Sequence, residues 1–297
     1  MHEIDTELTP TAPFDFGQSL AFLDGFPLMR GDTTIAKGAL MRAVVVDGAT
    51  VVFRVESRGA IDEPLLHCTL YAEQPITDAV REATLDRIAF FLSVADDLAR
   101  FYAIGREDAA FVPVIAHLYG YHQAKFLTPF DNAAWAILSQ RTPMAAARRT
   151  WDALIERYGS RLTVGGRTYR AFPTAERLAT VNPDDLVALL PNLRKAPYLH
   201  AAAQSFDDVD EIWLRTAPYD DVRAWLLRIP GIGDWSATFV LTRALGRMER
   251  HAGEDALLRA AAKVYGPTAG TPNGLDAIAR RYGPYQGYWA HYLRALA

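Results

Sequence analysis

The sequence predicts an α+β chain: a small antiparallel sheet module first, then a helical domain organised around one tight helical hairpin. Three observations carry this prediction. Asp47-Gly48 lies between two β-branched runs near the N-terminus, a strong short-range hairpin signal. From about Pro113 onward, apolar residues recur almost entirely at helical spacing. In the stretch "RIPGIGDWSATF", Arg228 to Phe239, one Pro and two Gly interrupt two helical segments, residues that disfavour continuous helix.

Taken in order, "FDFGQSLAFLDGF" reads as a short helix. "ALMRAVVVDGATVVFRVESRG" supplies two strands, with Val51, Phe53 and Val55 alternating against Val52, Arg54 and Glu56. "PLLHCTLYA", Pro64 to Ala72, is a third strand, and Thr77 to Tyr102 reads as one long amphipathic helix. These form an N-terminal unit over 1–98, a sheet with helices on one side. The second unit, 99–297, reads as all-helical. Thr128 or Asp131 caps "PFDNAAWAILSQ", a Thr-Pro start opens "TPMAAARRTWDALIERYG", and Asn182 caps "NPDDLVALL". "KAPYLHAAAQSF", the hairpin at 229–235 with its flanking helices, "GEDALLRAAAKVYG" and "GPYQGYWAHYLRAL" complete it.

At 297 residues, half of them hydrophobic, the chain holds about two domains' worth of sequence at ~100–200 residues each. One cysteine, Cys68, excludes a disulfide framework or a cysteine-rich metal site. Cys68 itself reads as a buried strand residue rather than a nucleophile. The seven His form no cluster, so no catalytic metal is expected. The N-terminus "MHEIDTELTP" is acidic and polar, unlike a signal peptide. No apolar run approaches the ~20 residues of a membrane span. A cytoplasmic protein is expected. The net charge of −4 leaves nucleic-acid binding to local charge on one face.

The hairpin suggests what that face does. A helix restarting after Pro-Gly-Ile-Gly leaves its first N–H groups without intrahelical partners. Gly231 and Gly233 leave them uncovered, so an anion such as a DNA phosphate can approach, favoured by the helix dipole. Ile232 is expected to point inward and pin the two helices. An ordinary αα-corner carries the same turn. About 20 residues on, "HAGEDALLR" places Asp255 one helix away, opening the next helix beside the first. An isolated Asp there is also a plain N-cap.

Hairpin and spaced carboxylate together resemble the helix–hairpin–helix (HhH-GPD) DNA glycosylases, most of all the bacterial 3-methyladenine DNA glycosylase II type. The matching segments are "AWAILSQ" (134–140), "LLRIPGIGDWSATFVLTRALGR" (226–247), Asp255 and "GPYQGYWAHYL". "PFDFGQSLAFL" and its strands resemble that type's extra sheet domain, a TBP-like half. The resemblance implies a cofactor-free monomer that flips a nucleotide from damaged double-stranded DNA into a cleft. It implies Asp255 as the carboxylate that stabilises positive charge on the sugar and orients water, with Glu254 as the neighbouring rival. It assigns the base pocket to Trp235, Tyr285, Phe239 and Phe22. The strand would be gripped by Pro230, Gly231, Ile232 and Gly233, with Gln140 and Arg141 at the duplex. Aromatic faces attract a cationic alkylpurine, and core packing is the competing reading of each ring.

This sequence departs from the type at Arg141, where the resemblance places the side chain that fills the emptied duplex and a Leu is usual, and at three further positions. Tyr285 stands where a Trp is usual, Ala256 where an aromatic follows the catalytic Asp, and Asp234 beside the phosphate-binding turn. Trp235 occupies the position of the amine Lys of bifunctional relatives, and Lys195 and Lys263 lie on other helices. The resemblance therefore implies a monofunctional, water-using enzyme for alkylated purines. Two further readings stand beside it: the same fold acting on oxidised, deaminated or bulky adducted bases, and a non-catalytic DNA-binding scaffold.

Overall fold

The computed structural model describes residues 1–26, 32–190 and 192–296. The first unit contains β1 (His2–Leu8), α1 (Phe16–Gly25), β2 (Thr33–Ala36), β3 (Ala39–Val46), β4 (Ala49–Ser57), β5 (Leu66–Ala72) and α2 (Asp78–Leu92). The strands form one antiparallel sheet in the order β1-β5-β4-β3-β2. The Asp47-Gly48 turn is present as predicted. Both residues have positive φ, 47° and 74°, the backbone a two-residue hairpin needs to match strand twist. Val46 pairs with Ala49 across it.

Two strands exceed the sequence expectation. β1 forms from the acidic N-terminal segment and pairs with β5 along its whole length. The short β2 pairs with β3. Both are edge strands, polar or brief, and so carry little periodic signal.

The single helix expected over 77–102 is two. α2 ends at Ser93, which adopts a left-handed conformation (φ 56°, ψ 37°). A second helix, α3 (Ala99–Glu107), follows. The break is fixed by tertiary bonds: Ser93 Oγ donates to the Gln123 carbonyl at 2.6 Å, and His122 Nδ1 lies 2.7 Å from the Ser93 carbonyl. Helical periodicity cannot register such partners.

The remaining elements run α4 (Val112–His117), α5 (Pro129–Ser139), α6 (Met144–Tyr158), β6 (Ser160–Val164), β7 (Arg167–Ala171), α7 (Ala175–Ala179) and α8 (Pro183–Leu189). Then come α9 (Lys195–Asp208), α10 (Glu211–Thr216), α11 (Tyr219–Arg228), α12 (Asp234–Arg243), α13 (Asp255–Tyr265), α14 (Pro272–Ala279) and α15 (Gln286–Arg294). Thr128 caps α5, its hydroxyl accepting from the Asp131 N–H at 3.0 Å, and Asn182 caps α8. The β6–β7 hairpin corrects the all-helical expectation. It turns at Gly165-Gly166, both with positive φ, and packs Leu162 and Tyr169 with Ala43 and Val52 of the sheet.

Two apolar cores position the site. One joins the inner face of the sheet to helices α5 through α12 and includes Leu40, Phe53, Ile137, Leu226, Ile232 and Val240. The other packs α3 and α4 against α13 to α15 around Phe101, Tyr282 and Trp289. The acidic run 207–211 ends α9 and opens α10. Its last residue, Glu211, receives both Arg87 terminal nitrogens at 2.7 and 2.9 Å and so docks α10 on α2.

Candidate nucleic-acid interface and base cavity

The hairpin is built by its glycines and by what lies beneath them. α11 ends at Ile229, and α12 begins at Asp234 with Gly233 as N-cap. Gly231 has φ +87°, and a Cβ there would lie 2.6 Å from the Tyr198 ring. Only glycine both adopts this backbone and allows the approach. Gly233 differs: nothing lies within 4 Å of its would-be Cβ. No side chain caps α12, so its N-terminal N–H groups face open space, the arrangement that accepts an anion. Ile232 is 5 % exposed and sits in the main core, as expected.

Gln140 fastens this turn to the end of α5. Its Nε2 donates to the Gly231 carbonyl at 2.7 Å and to Ser236 Oγ at 3.1 Å. The next residue, Arg141, is exposed and left-handed, with φ 48°. Lys195 fixes that excursion: its Nζ donates to the Leu138 carbonyl and to Thr142 Oγ1, both at 2.5 Å. The structure thereby corrects the placing of Lys195 on a remote helix. It is buried beside the hairpin, burial lowers its ammonium below the usual lysine range, and it lines a cleft with Arg141, Arg194, Gly233 and Trp235. Lys263 is remote, bonded to the Leu296 carbonyl at 3.0 Å. Asp234 pairs with Arg223 of α11, which neutralises the acid nearest the open N–H groups.

Trp235 belongs to two surfaces at once. It lines the hairpin cleft, and it also lines a separate cavity of about 260 Å³ between α1, α12 and α15. It is 58 % exposed, an unusual exposure for a large ring, and stacks on Phe239 with centroids 5.0 Å apart. Phe22 closes the far side, parallel to Phe26 at 5.6 Å. Trp235, Phe239 and Phe22 thus line one cavity.

Tyr285 is not among the cavity residues, a correction to its assignment. It ends a 3₁₀ segment, Arg280–Tyr285, whose kink at Gly283 (φ 52°) directs it against Phe101, and it lines a different depression. Asp255 occupies the first position of α13 and is exposed, with no hydrogen bond or ion pair among the described residues. The cavity wall carries Glu254 instead, and Glu254 is already paired with Arg294. Glu254 is thus engaged at the cavity wall, and Asp255 stands in solvent.

Sequence reasoning missed Arg243, His291, Tyr121 and Thr242, which also line the cavity. The Arg243 guanidinium lies over the Phe22 ring at 4.6 Å and the Phe26 ring at 5.5 Å. Among the described residues it has no hydrogen-bonding or ionic partner, and its Nη2 is shielded from solvent. Burial lowers it to about 10. Each cation–π contact contributes ~0.5–2 kcal/mol, while a buried donor left unpaired loses ~1–3 kcal/mol or more. His291, stacked on Tyr121 at 4.5 Å, is held well below the usual histidine range by burial and then by Arg243. Its Nε2 is likewise unpartnered, as is Thr242 Oγ1. Elsewhere, Cys68 is buried and its thiol is pushed up to about 12 by burial, so it is no nucleophile. Among the described residues no group of three or more His, Cys, Asp or Glu could hold a metal, and no helix is long and apolar enough to cross a membrane.

An uncapped helical hairpin joined through one aromatic residue to a cavity of about 260 Å³ defines a helix–hairpin–helix fold. Residues 134–281 match the family model of the HhH-GPD superfamily base excision DNA repair protein, and the helical domain belongs to that superfamily. The chain is 26% identical over 174 residues to the DNA-3-methyladenine glycosylase of Bacillus subtilis, 58% of this chain and 57% of that one. It is 29% identical over 162 residues to DNA-3-methyladenine glycosylase 2 of Escherichia coli, 54% of each. The matched region thus spans little more than half the length of these relatives. The 3-methyladenine DNA-glycosylase structure from Archaeoglobus fulgidus superposes with TM-score 0.77 at 21% identity, over 98% of this chain and 97% of that one. The Clostridium acetobutylicum 8-oxoguanine glycosylase/lyase superposes at 0.68 with 13% identity, over 98% and 96%. These two likenesses establish the shared α+β fold.

Proposed function

We propose that this protein is a monofunctional DNA glycosylase that hydrolyses the N-glycosidic bond of alkylated purines in double-stranded DNA. The observation that carries the reading is the position of Trp235, shared between the uncapped hairpin and the cavity beside α13. A phosphate held at the Gly233 turn would place its neighbouring nucleotide at the cavity mouth. The relatives' names support alkylated bases as the substrate class. The chemistry needs no strong general acid, because an alkylated purine is already cationic and leaves readily. Asp255 then supplies negative charge opposite the developing sugar cation and orients water. A scaffold that only binds DNA gains nothing from an unpaired acid and a cavity at this point.

Water rather than an amine is the nucleophile in this reading. Trp235 stands at the amine position, and Lys195, the one lysine lining the hairpin cleft, has its Nζ committed to two oxygen acceptors. Borohydride added during turnover is expected to trap no enzyme–DNA adduct, and the product strand is expected to stay intact at the abasic site. A trapped adduct that Lys195→Met abolishes would overturn the monofunctional assignment.

Arg141 fills the gap left in the duplex. Extruding a nucleotide costs a few kcal/mol of stacking and pairing, and a side chain inserted between bases offsets it. Arg141 is exposed, left-handed and held by the Lys195 and Gln140 bonds at the end of α5. A guanidinium stacks on bases and hydrogen-bonds an orphaned base edge. Arg141→Ala is expected to lower base release from duplex DNA about tenfold or more, and from single strands much less. Equal loss on both, with only a shallower salt dependence, would identify a simple phosphate contact.

A further inference from the structure

We propose that Arg243 is a specificity-determining residue that reads an exocyclic oxygen on the extruded base, so that the cavity prefers oxopurines, alkylated guanines and hypoxanthine among them, over 3-methyladenine. The proposal rests on the glycosylase reading above.

The argument begins with the state of Arg243 in the free protein. Its guanidinium lines the cavity and lies over Phe22 and Phe26, yet Nη2, which is shielded from solvent, has no acceptor among the described residues. Buried polar groups are ordinarily paired, and a donor left over on a cavity wall is available to a ligand that enters the cavity. A guanidinium has only donors to offer, so the partner must be an acceptor. An exocyclic purine oxygen provides one. The exocyclic amine of an adenine presents N–H groups there instead.

Charge acts in the same direction. Among the described residues two arginines line the cavity; Arg294 is paired with Glu254, and Arg243 forms no ion pair. His291, beside it and well below its usual range, contributes no charge. The described lining thus sets two arginines against one glutamate, a balance that favours a neutral oxopurine and disfavours a cationic base without an exocyclic acceptor. Arg243 also covers the Phe22 and Phe26 rings, the faces that would otherwise attract such a cation. Stacking on a flipped base falls to Trp235 and Phe239 at the mouth.

The test uses the full chain and three lesions. 3-Methyladenine and 7-methylguanine are both cationic in DNA and differ at the exocyclic edge, so their release ratio from methylated duplex DNA isolates oxygen recognition. Hypoxanthine carries the oxygen without the charge. Arg243→Met is expected to lower the ratio of 7-methylguanine to 3-methyladenine release, and hypoxanthine release, by about tenfold or more, the scale of losing a charged hydrogen bond. Binding to a duplex with a stable abasic analogue should be unchanged, because no base then enters the cavity. A second measurement needs no variant: free hypoxanthine should inhibit wild-type protein more strongly than free adenine. An unchanged ratio in Arg243→Met, or adenine as the better inhibitor, overturns the proposal while base release persists. A wild-type protein that releases no base from any of the three overturns the glycosylase reading with it.

Discussion

Replacing Asp255 by Asn is expected to abolish base release while leaving affinity for abasic duplex DNA within about twofold, the largest effect anticipated for any single substitution. The change removes one negative charge and almost no volume. Asp255 begins α13 and has no hydrogen bond or ion pair among the described residues, so its loss disturbs no structural contact. Electrostatic stabilisation of a transition state in a closed site is commonly worth a factor on the order of 10²–10³. Glu254→Gln is the matched control. Glu254 is paired with Arg294, and its replacement should retain most of the activity and register as a modest loss of stability. Single-turnover rates on one alkylated duplex decide the matter: activity surviving in Asp255→Asn and lost in Glu254→Gln would move the reacting carboxylate one residue upstream.

The second large effect separates two glycines of one turn. Gly231→Ala must place a Cβ 2.6 Å from the Tyr198 ring at a backbone φ of +87°. A left-handed alanine costs ~1–2 kcal/mol, and overpacking adds ~1–3 kcal/mol. The Gln140 bond to the Gly231 carbonyl lies in the same displaced segment. Stability should fall by about 2–5 kcal/mol, with DNA binding lost alongside. Gly233→Ala is the converse. Its φ of −98° suits any residue, and open space surrounds the new methyl. Thermal or denaturant unfolding should shift by less than about 1 kcal/mol, yet affinity for duplex DNA should drop, because the methyl covers N–H groups that would receive a phosphate. Equal destabilisation by both substitutions would contradict the distinction between a packed and an open side of the turn.

These contrasts show what was legible in the sequence. The Pro-Gly-Ile-Gly turn, the Asp47-Gly48 hairpin and the Thr128 and Asn182 caps are written in a few adjacent residues, where local stereochemistry decides the outcome. Ile232 was assignable because its neighbours fix its direction. Arg243 and His291 were not. They lie on α12 and α15 and meet Phe22 of α1 only after folding. Each resembles an ordinary helical residue until its lack of a partner can be seen. The same limit explains Tyr285, whose placement depends on a kink at Gly283, and the break at Ser93, which rests on bonds to residues about 30 positions away.

The account stands most directly on what the wild-type protein does to damaged DNA. Alkylated duplex DNA is incubated with the protein, and the soluble fraction is separated by chromatography. The expected result is release of free modified purines, with guanine-type bases over-represented relative to their share of the lesions, and an intact strand that breaks only when the abasic site is treated with alkali. Tight binding of the same duplex with no base released would contradict it, and would make the hairpin and its cavity a DNA-binding scaffold.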